Sequence, residues 1–68
     1  MEKYWTGEVG KCDICAGDFG QTMFDTSVRW RWGNLCSACF DEFGYALGTG
    51  RGQQYRRQDD GRWMKVAG

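Results

Sequence analysis

The residues in this sequence best equipped for chemistry are four cysteines, Cys12, Cys15, Cys36 and Cys39, set as two Cys-x-x-Cys pairs with twenty residues between them. A two-residue spacer lets a tight turn aim both sulfurs at one point, and two such turns complete a tetrahedron of thiolates. That donor set predicts one structural Zn2+ in a closed site with no position left for water. A single iron suits the same four sulfurs, disulfides use the same residues in an oxidising compartment, and a redox pair of the thioredoxin type needs a larger βαβ framework. Zinc is preferred to iron partly because the second pair opens a helix, and to disulfides because the chain reads as cytoplasmic.

That last reading rests on what the sequence lacks. Residues Met1 to Glu8 contain no apolar h-region, and no apolar run approaches the roughly 18 residues of a membrane span. The expected setting is a reducing cytoplasm, where thiols stay available to metal. The chain has 68 residues, four cysteines, no histidine and no proline, and a formal net charge of zero. A chain so short buries too little surface to stabilise itself comfortably by its core alone, so a metal staple has a clear role. Zero net charge opposes a strongly electrostatic nucleic-acid binder, although charge is unevenly placed. Residues 1–44 carry four basic and seven acidic side chains, and residues 45–68 carry five basic and two acidic.

The elements that must position the cysteines follow from local pattern. Gly10 to Gly20 reads as a zinc knuckle, with glycine just after the pair supplying a positive φ. Thr22 to Trp32 is rich in β-branched and aromatic residues. Val28, Trp30 and Trp32 share one parity, opposite Arg29 and Arg31, as in a half-buried strand. Asp25-Thr26-Ser27 is predicted to turn a hairpin there. Asn34 or Ser37 is the expected cap of a helix reaching about Leu47, with Cys36, Cys39, Phe40, Phe43 and Leu47 along one stripe and Gly48 as its stop. Thiolates at a helix start gain from its free N–H groups. Gln54–Gln58 and Arg62–Val66 read as strands of a second hairpin around Asp59-Asp60-Gly61, packing Tyr55 and Trp63 inward.

The expected fold is a small metal-stabilised α+β domain of treble-clef or zinc-ribbon type: knuckle, β-hairpin, one short helix, C-terminal β-hairpin. It is one domain over 1–68, divided into an N-terminal segment 1–10, a zinc core 11–48, and a glycine loop with hairpin 49–68. The run Trp32 to Phe40, followed by Gly44-Tyr45-Ala46-Leu47-Gly48-Thr49-Gly50-Arg51-Gly52-Gln53-Gln54-Tyr55, resembles small zinc-binding proteins encoded by bacteriophages. The likeness spans roughly residues 11–66 and includes a Gly-Leu-Gly-x-Gly-x-Gly-Gln-x-Tyr-like segment, in which Ala46 replaces a glycine of the family pattern. It implies a phage origin and a bacterial host cytoplasm. It implies no activity, since that family's function is unassigned.

Catalysis finds no footing in the sequence. Histidine is absent, the thiols are committed to metal, and no serine or threonine sits in a nucleophile elbow. A closed zinc site does not activate water, and the nuclease chemistry of some treble-clef proteins needs a histidine. The glycine-rich loop follows a helix, opposite to a dinucleotide fingerprint, and lacks the Gly-Lys-Ser/Thr of a Walker loop. Its plain role is a chain reversal; its functional one is backbone N–H groups of Gly50 to Gly52, with Arg51, holding a phosphate or carboxylate. Arg51, Arg56, Arg57, Arg62 and Lys65 form the candidate contact surface, with ordinary solvated strand as the alternative. Trp30, Trp32 and Trp63 are expected in the core, and Trp5 exposed to a partner. The expected function is a non-enzymatic interaction module binding a host or phage protein, in transcription or defence machinery. The alternatives are a nucleic-acid-binding zinc domain using the C-terminal arginines and a structural accessory. No small-molecule substrate is implied.

Overall fold

Alternating side chains and strand-favouring residues build β1 (Thr22–Val28), and the rest of the fold is arranged on it. The computed structural model describes residues 3–28, 31–43, 47–48 and 51–68. After β1 come β2 (Arg31–Leu35), the helix α1 (Ser37–Phe43), β3 (Gly52–Arg57) and β4 (Trp63–Ala67). All strand pairs are antiparallel, in one sheet of order β2-β1-β3-β4. The two hairpins expected from the sequence are therefore halves of a single sheet, joined where Met23 faces Tyr55 and Thr26 faces Gly52. Among the described residues, no helix is long and apolar enough to cross a membrane.

The expected turn at Asp25-Thr26-Ser27 is not there. These residues lie inside β1, paired with β2 on one side, while Asp25 and Thr26 also pair with β3 on the other. Their side chains favour turns when they must bond locally, but here neighbouring elements supply the partners. Thr26 is fully buried, and its hydroxyl donates to the Arg51 carbonyl at 3.0 Å. Asp25 accepts a hydrogen bond from the Trp32 indole N–H at 2.5 Å. Trp32 itself is 46% exposed and does not join the core. Trp30 and Arg29, which set the predicted parity, lie outside the described residues, as do the side chains of Val28 and Arg31.

The core has two sides. On one, the rings of Phe24 and Phe40 stack 4.0 Å apart and nearly parallel, bringing α1 onto the sheet beside Leu35. On the other, Met23 and Tyr55 meet Trp63, which stands edge-on to Phe19. Helix α1 is described as far as Phe43, which is exposed; residues 44–46 of the predicted helix lie outside the described residues, and Leu47, its expected end, is not helical. Leu47 still packs against the core. Gly48 bridges to Gly52 through reciprocal backbone hydrogen bonds, which close a loop.

The second hairpin forms as its turn residues predict. The Gln58 and Arg62 backbones bond at 2.7 Å, Gly61 takes a positive φ, and Asp60 accepts the Arg62 N–H at 3.0 Å. The N-terminal segment lies along β4. Lys65 donates to the Lys3 carbonyl, Trp5 donates to the Trp63 carbonyl, and Tyr4 bridges Met64. Trp5 is half-buried, edge-on to Tyr55 at 5.4 Å, with its indole N–H on the Glu8 carbonyl. Its exposure was expected because its partners are remote in sequence.

Burial pushes the Asp25 carboxyl above its ordinary range, and the Trp32 hydrogen bond only partly opposes that. A carboxyl whose folded pKa is raised is less stable ionised in the fold than in the unfolded chain, so its charge costs stability above the folded pKa. Asp25→Asn keeps an acceptor for Trp32 and removes the charge. We expect its urea midpoint at pH 7 to exceed that of the parent chain, with the gap narrowing as pH falls through the carboxylate range; a lower midpoint at pH 7 would contradict this account of Asp25.

Candidate metal centre

The first knuckle is a closed turn. The Ala16 N–H donates to the Cys12 carbonyl, the Cys12 N–H donates to the Gly17 carbonyl, each at 2.9 Å, and the Ile14 N–H reaches the Cys12 sulfur at 3.4 Å. The residue that reverses the chain is Ala16, at φ 62°, and not the glycine after it. Gly17 lies close to the cluster: a Cβ there would be 3.3 Å from the Cys15 sulfur, which would have to give way by a few tenths of an ångström. The sequence signal pointed to the correct turn and the wrong residue within it.

The second knuckle starts where β2 ends. Leu35 is fully buried, Cys36 follows, and the Phe40 N–H donates to the Cys36 carbonyl at 2.9 Å. Cys36 thus takes the capping place that had been expected for Asn34 or Ser37. Asn34 has another role. Its N–H donates to Asp13 Oδ2 at 2.7 Å, and its carbonyl accepts the Asp13 N–H at 2.8 Å. Asp13 lies between the cysteines of the first knuckle, so this pair of bonds fixes one knuckle against the strand that delivers the other. Gly33 leaves room for the contact, since a Cβ there would lie 3.1 Å from Asp13 Oδ2. Nothing local in the sequence marks Asp13, Gly33 or Asn34 as partners; only the pairing across the two knuckles reveals them.

Together these elements bring four sulfurs into one cluster, all within 4.8 Å of one another. The Cys15 and Cys36 sulfurs are 3.8 Å apart. A regular tetrahedron with metal–sulfur bonds of about 2.3 Å has sulfur–sulfur edges of about 3.8 Å, which the Cys15–Cys36 pair matches, and the four sulfurs together could hold one metal ion. Cys12 and Cys39 are buried, Cys36 is half-buried and Cys15 is exposed. The four are free thiols, with no disulfide among them.

The electrostatics of the cluster favour a cation. Burial works against ionising Cys12, but the backbone N–H groups of Cys15, Cys36 and Ile14, with the Cys39 thiol, outweigh it and bring its pKa down to about 6. Cys39 is pushed up to about 12, first by burial and then by the neighbouring sulfurs, the charge on Cys12 included. One thiolate at this cluster therefore discourages the next, and a divalent ion at the centre relieves that repulsion.

The basic residues singled out in the sequence do not converge. Arg51 is exposed; its carbonyl accepts from Thr26 and Ser27, and its N–H, like that of Gly52, donates to the Gly48 carbonyl. Those two N–H groups are thus turned into the loop and away from any phosphate; Gly50 lies outside the described residues. Arg56 and Arg57 are both exposed and, as neighbours on β3, point to opposite sides of the sheet. The Arg62 guanidinium lies 4.2 Å over the Tyr4 ring with its Nε on Asp60, and Lys65 is half-buried. A comparison with protein-family models, curated proteins and solved structures finds no match for this chain.

Ala16 tests the local account of the knuckle. An alanine held in the left-handed region costs about 1 kcal/mol relative to glycine, part of which the freer unfolded chain offsets. Ala16→Gly is therefore expected to stabilise the metal-loaded domain by about 0.5 kcal/mol in chemical denaturation, and a destabilised variant would show that the turn is set elsewhere.

Proposed function

We propose that this chain is a zinc-stabilised interaction module, without catalytic activity, that binds a protein partner. The observation that carries the zinc reading is the cluster of four cysteine sulfurs within 4.8 Å of one another, built from two turns that also fix the sheet and helix. The closed all-thiolate shell gives the metal a structural task. The resemblance of residues 11–66 to phage zinc-binding proteins supports a treble-clef kind of site and a bacterial host cytoplasm as the place of action.

The contact surface we assign to the partner lies around Trp32. This indole is 46% exposed on an edge strand and is held in place by Asp25. Tryptophan is the residue type most enriched among those that dominate protein interfaces, and a held ring loses little freedom on binding. A host or phage protein of the transcription or defence machinery is the partner class the sequence suggests. Nucleic-acid binding is the second reading, favoured by the exposed Arg56 and Arg57. Their placement on opposite sides of β3 weakens it, since a single backbone can reach only one of them.

Two experiments test these statements. Purified protein should hold one zinc per chain, and Cys36→Ser or chelation should unfold it, because metal binding and folding are then nearly one free energy; a chain that keeps its circular dichroism spectrum without metal contradicts the structural role. For the partner, Trp32→Ala should keep zinc content and a folded spectrum, melting somewhat lower because Asp25 loses its donor, while abolishing capture of the partner that the parent chain retains. Retained capture by Trp32→Ala, with salt-sensitive DNA binding lost in Arg56→Ala/Arg57→Ala, would favour the nucleic-acid reading.

A further inference from the structure

The four sulfurs are not equivalent. Cys12 is 3% exposed and Cys39 is 7% exposed, and both belong to the buried core cluster. Cys15 is exposed and Cys36 half-buried, and these two, from different knuckles, have their sulfurs 3.8 Å apart. The accessible half of the cluster is thus a pair of neighbouring thiols that spans the two knuckles. The inaccessible half is the pair that belongs to the core.

We propose that Cys15 and Cys36 are a redox-modification site, which a hydroperoxide converts to a disulfide with release of the metal. This rests on the metal reading above for the release, and on the sulfur geometry alone for the pairing. The Cys15 thiolate, the more exposed, attacks one oxygen of hydrogen peroxide; the S–O bond forms, the O–O bond breaks, and hydroxide leaves to become water. The Cys36 thiolate then attacks the Cys15 sulfur; the S–S bond forms, the S–O bond breaks, and a second hydroxide leaves and is protonated. In sum, two thiolates, one peroxide and two protons give one disulfide and two waters, the two sulfurs supplying the two electrons. The metal keeps its oxidation state and is left with Cys12 and Cys39 alone, too few donors to retain it.

The geometry makes this a switch and not simple damage. The sulfurs must approach by about 1.8 Å to reach bonding distance, and Cys15 sits on an exposed turn that can supply that movement. The new bond joins the same two knuckles that the metal joined, so the oxidised chain keeps its long-range closure. Reduction frees both thiols for metal again. A disulfide within either knuckle would instead leave the two halves unconnected, and each such pairing needs a sulfur that the core shields from the oxidant.

The test uses the full-length chain. Its zinc content is measured first; one zinc per chain is expected, and its absence would contradict the metal reading without touching the pairing. Hydrogen peroxide is then added in small steps with a chromogenic zinc chelator present. Samples are quenched in acid, alkylated in denaturant and mapped by mass spectrometry. We expect one zinc released per disulfide, Cys15 and Cys36 lost from alkylation while Cys12 and Cys39 remain alkylated, and recovery of zinc binding after dithiothreitol and zinc. A first product linking Cys12 to Cys15 or Cys36 to Cys39 overturns the proposal. Conversion of Cys15 to sulfinic acid without a disulfide overturns it equally. In a chain without zinc, the same map decides the pairing by itself.

Discussion

The fold depends on four sulfurs being held at one point. Among the described residues the buried core consists of Cys12, Phe19, Met23, Phe24, Leu35, Cys39 and Tyr55, with Thr26 beside them. Two members of that short set belong to the four-cysteine cluster. The centre is therefore not attached to a core that stands without it; its buried thiols are part of the core's own packing. A chain of this size has little apolar surface to spare, and burying thiolates without a cation is costly. The opposite displacements of the Cys12 and Cys39 pKa values express the same strain, since charge on one sulfur is tolerated only at the other's expense.

From that point the structure extends outward through bonds that the metal alone does not provide. Asp13 and Asn34 join the first knuckle to the end of β2. β1 carries the pairing on to β3, and β3 to β4, with the N-terminal residues along the far edge. The Arg51 carbonyl, accepting from Thr26 and Ser27, fastens the glycine-rich loop to the middle of β1. No buried side-chain polar atom among the described residues lacks a partner, the Thr26 hydroxyl included. This arrangement leaves Trp32 outside, on the sheet edge nearest the knuckles, and leaves Cys15 and Cys36 as the accessible side of the centre.

What was legible in the sequence is what local chemistry decides. Cysteine spacing within each knuckle, the helix start after Cys36 and the Asp59-Asp60-Gly61 turn all depend on residues close together in the chain, and each is found in the structure. The misread elements depend on remote partners. Asp25-Thr26-Ser27 has the composition of a turn, but Trp32 and the Arg51 carbonyl give Asp25 and Thr26 reasons to remain in a strand. Trp5 looks unattached until Tyr55 is placed beside it, and Trp32 looks like core until its strand is seen at the edge of the sheet. Ala16 in place of Gly17 at the positive φ shows the limit of glycine as a marker: a Cβ at Gly17 would crowd the Cys15 sulfur, but the turn does not use its freedom in φ.

Zinc-edge X-ray absorption on the purified chain tests the central claim most directly, because it reads the donor set without assuming the fold. The account predicts zinc with four sulfur neighbours at about 2.3 Å and no nitrogen or oxygen in the shell. A shell with two sulfurs and lighter donors, or a chain that folds with no metal, would contradict it.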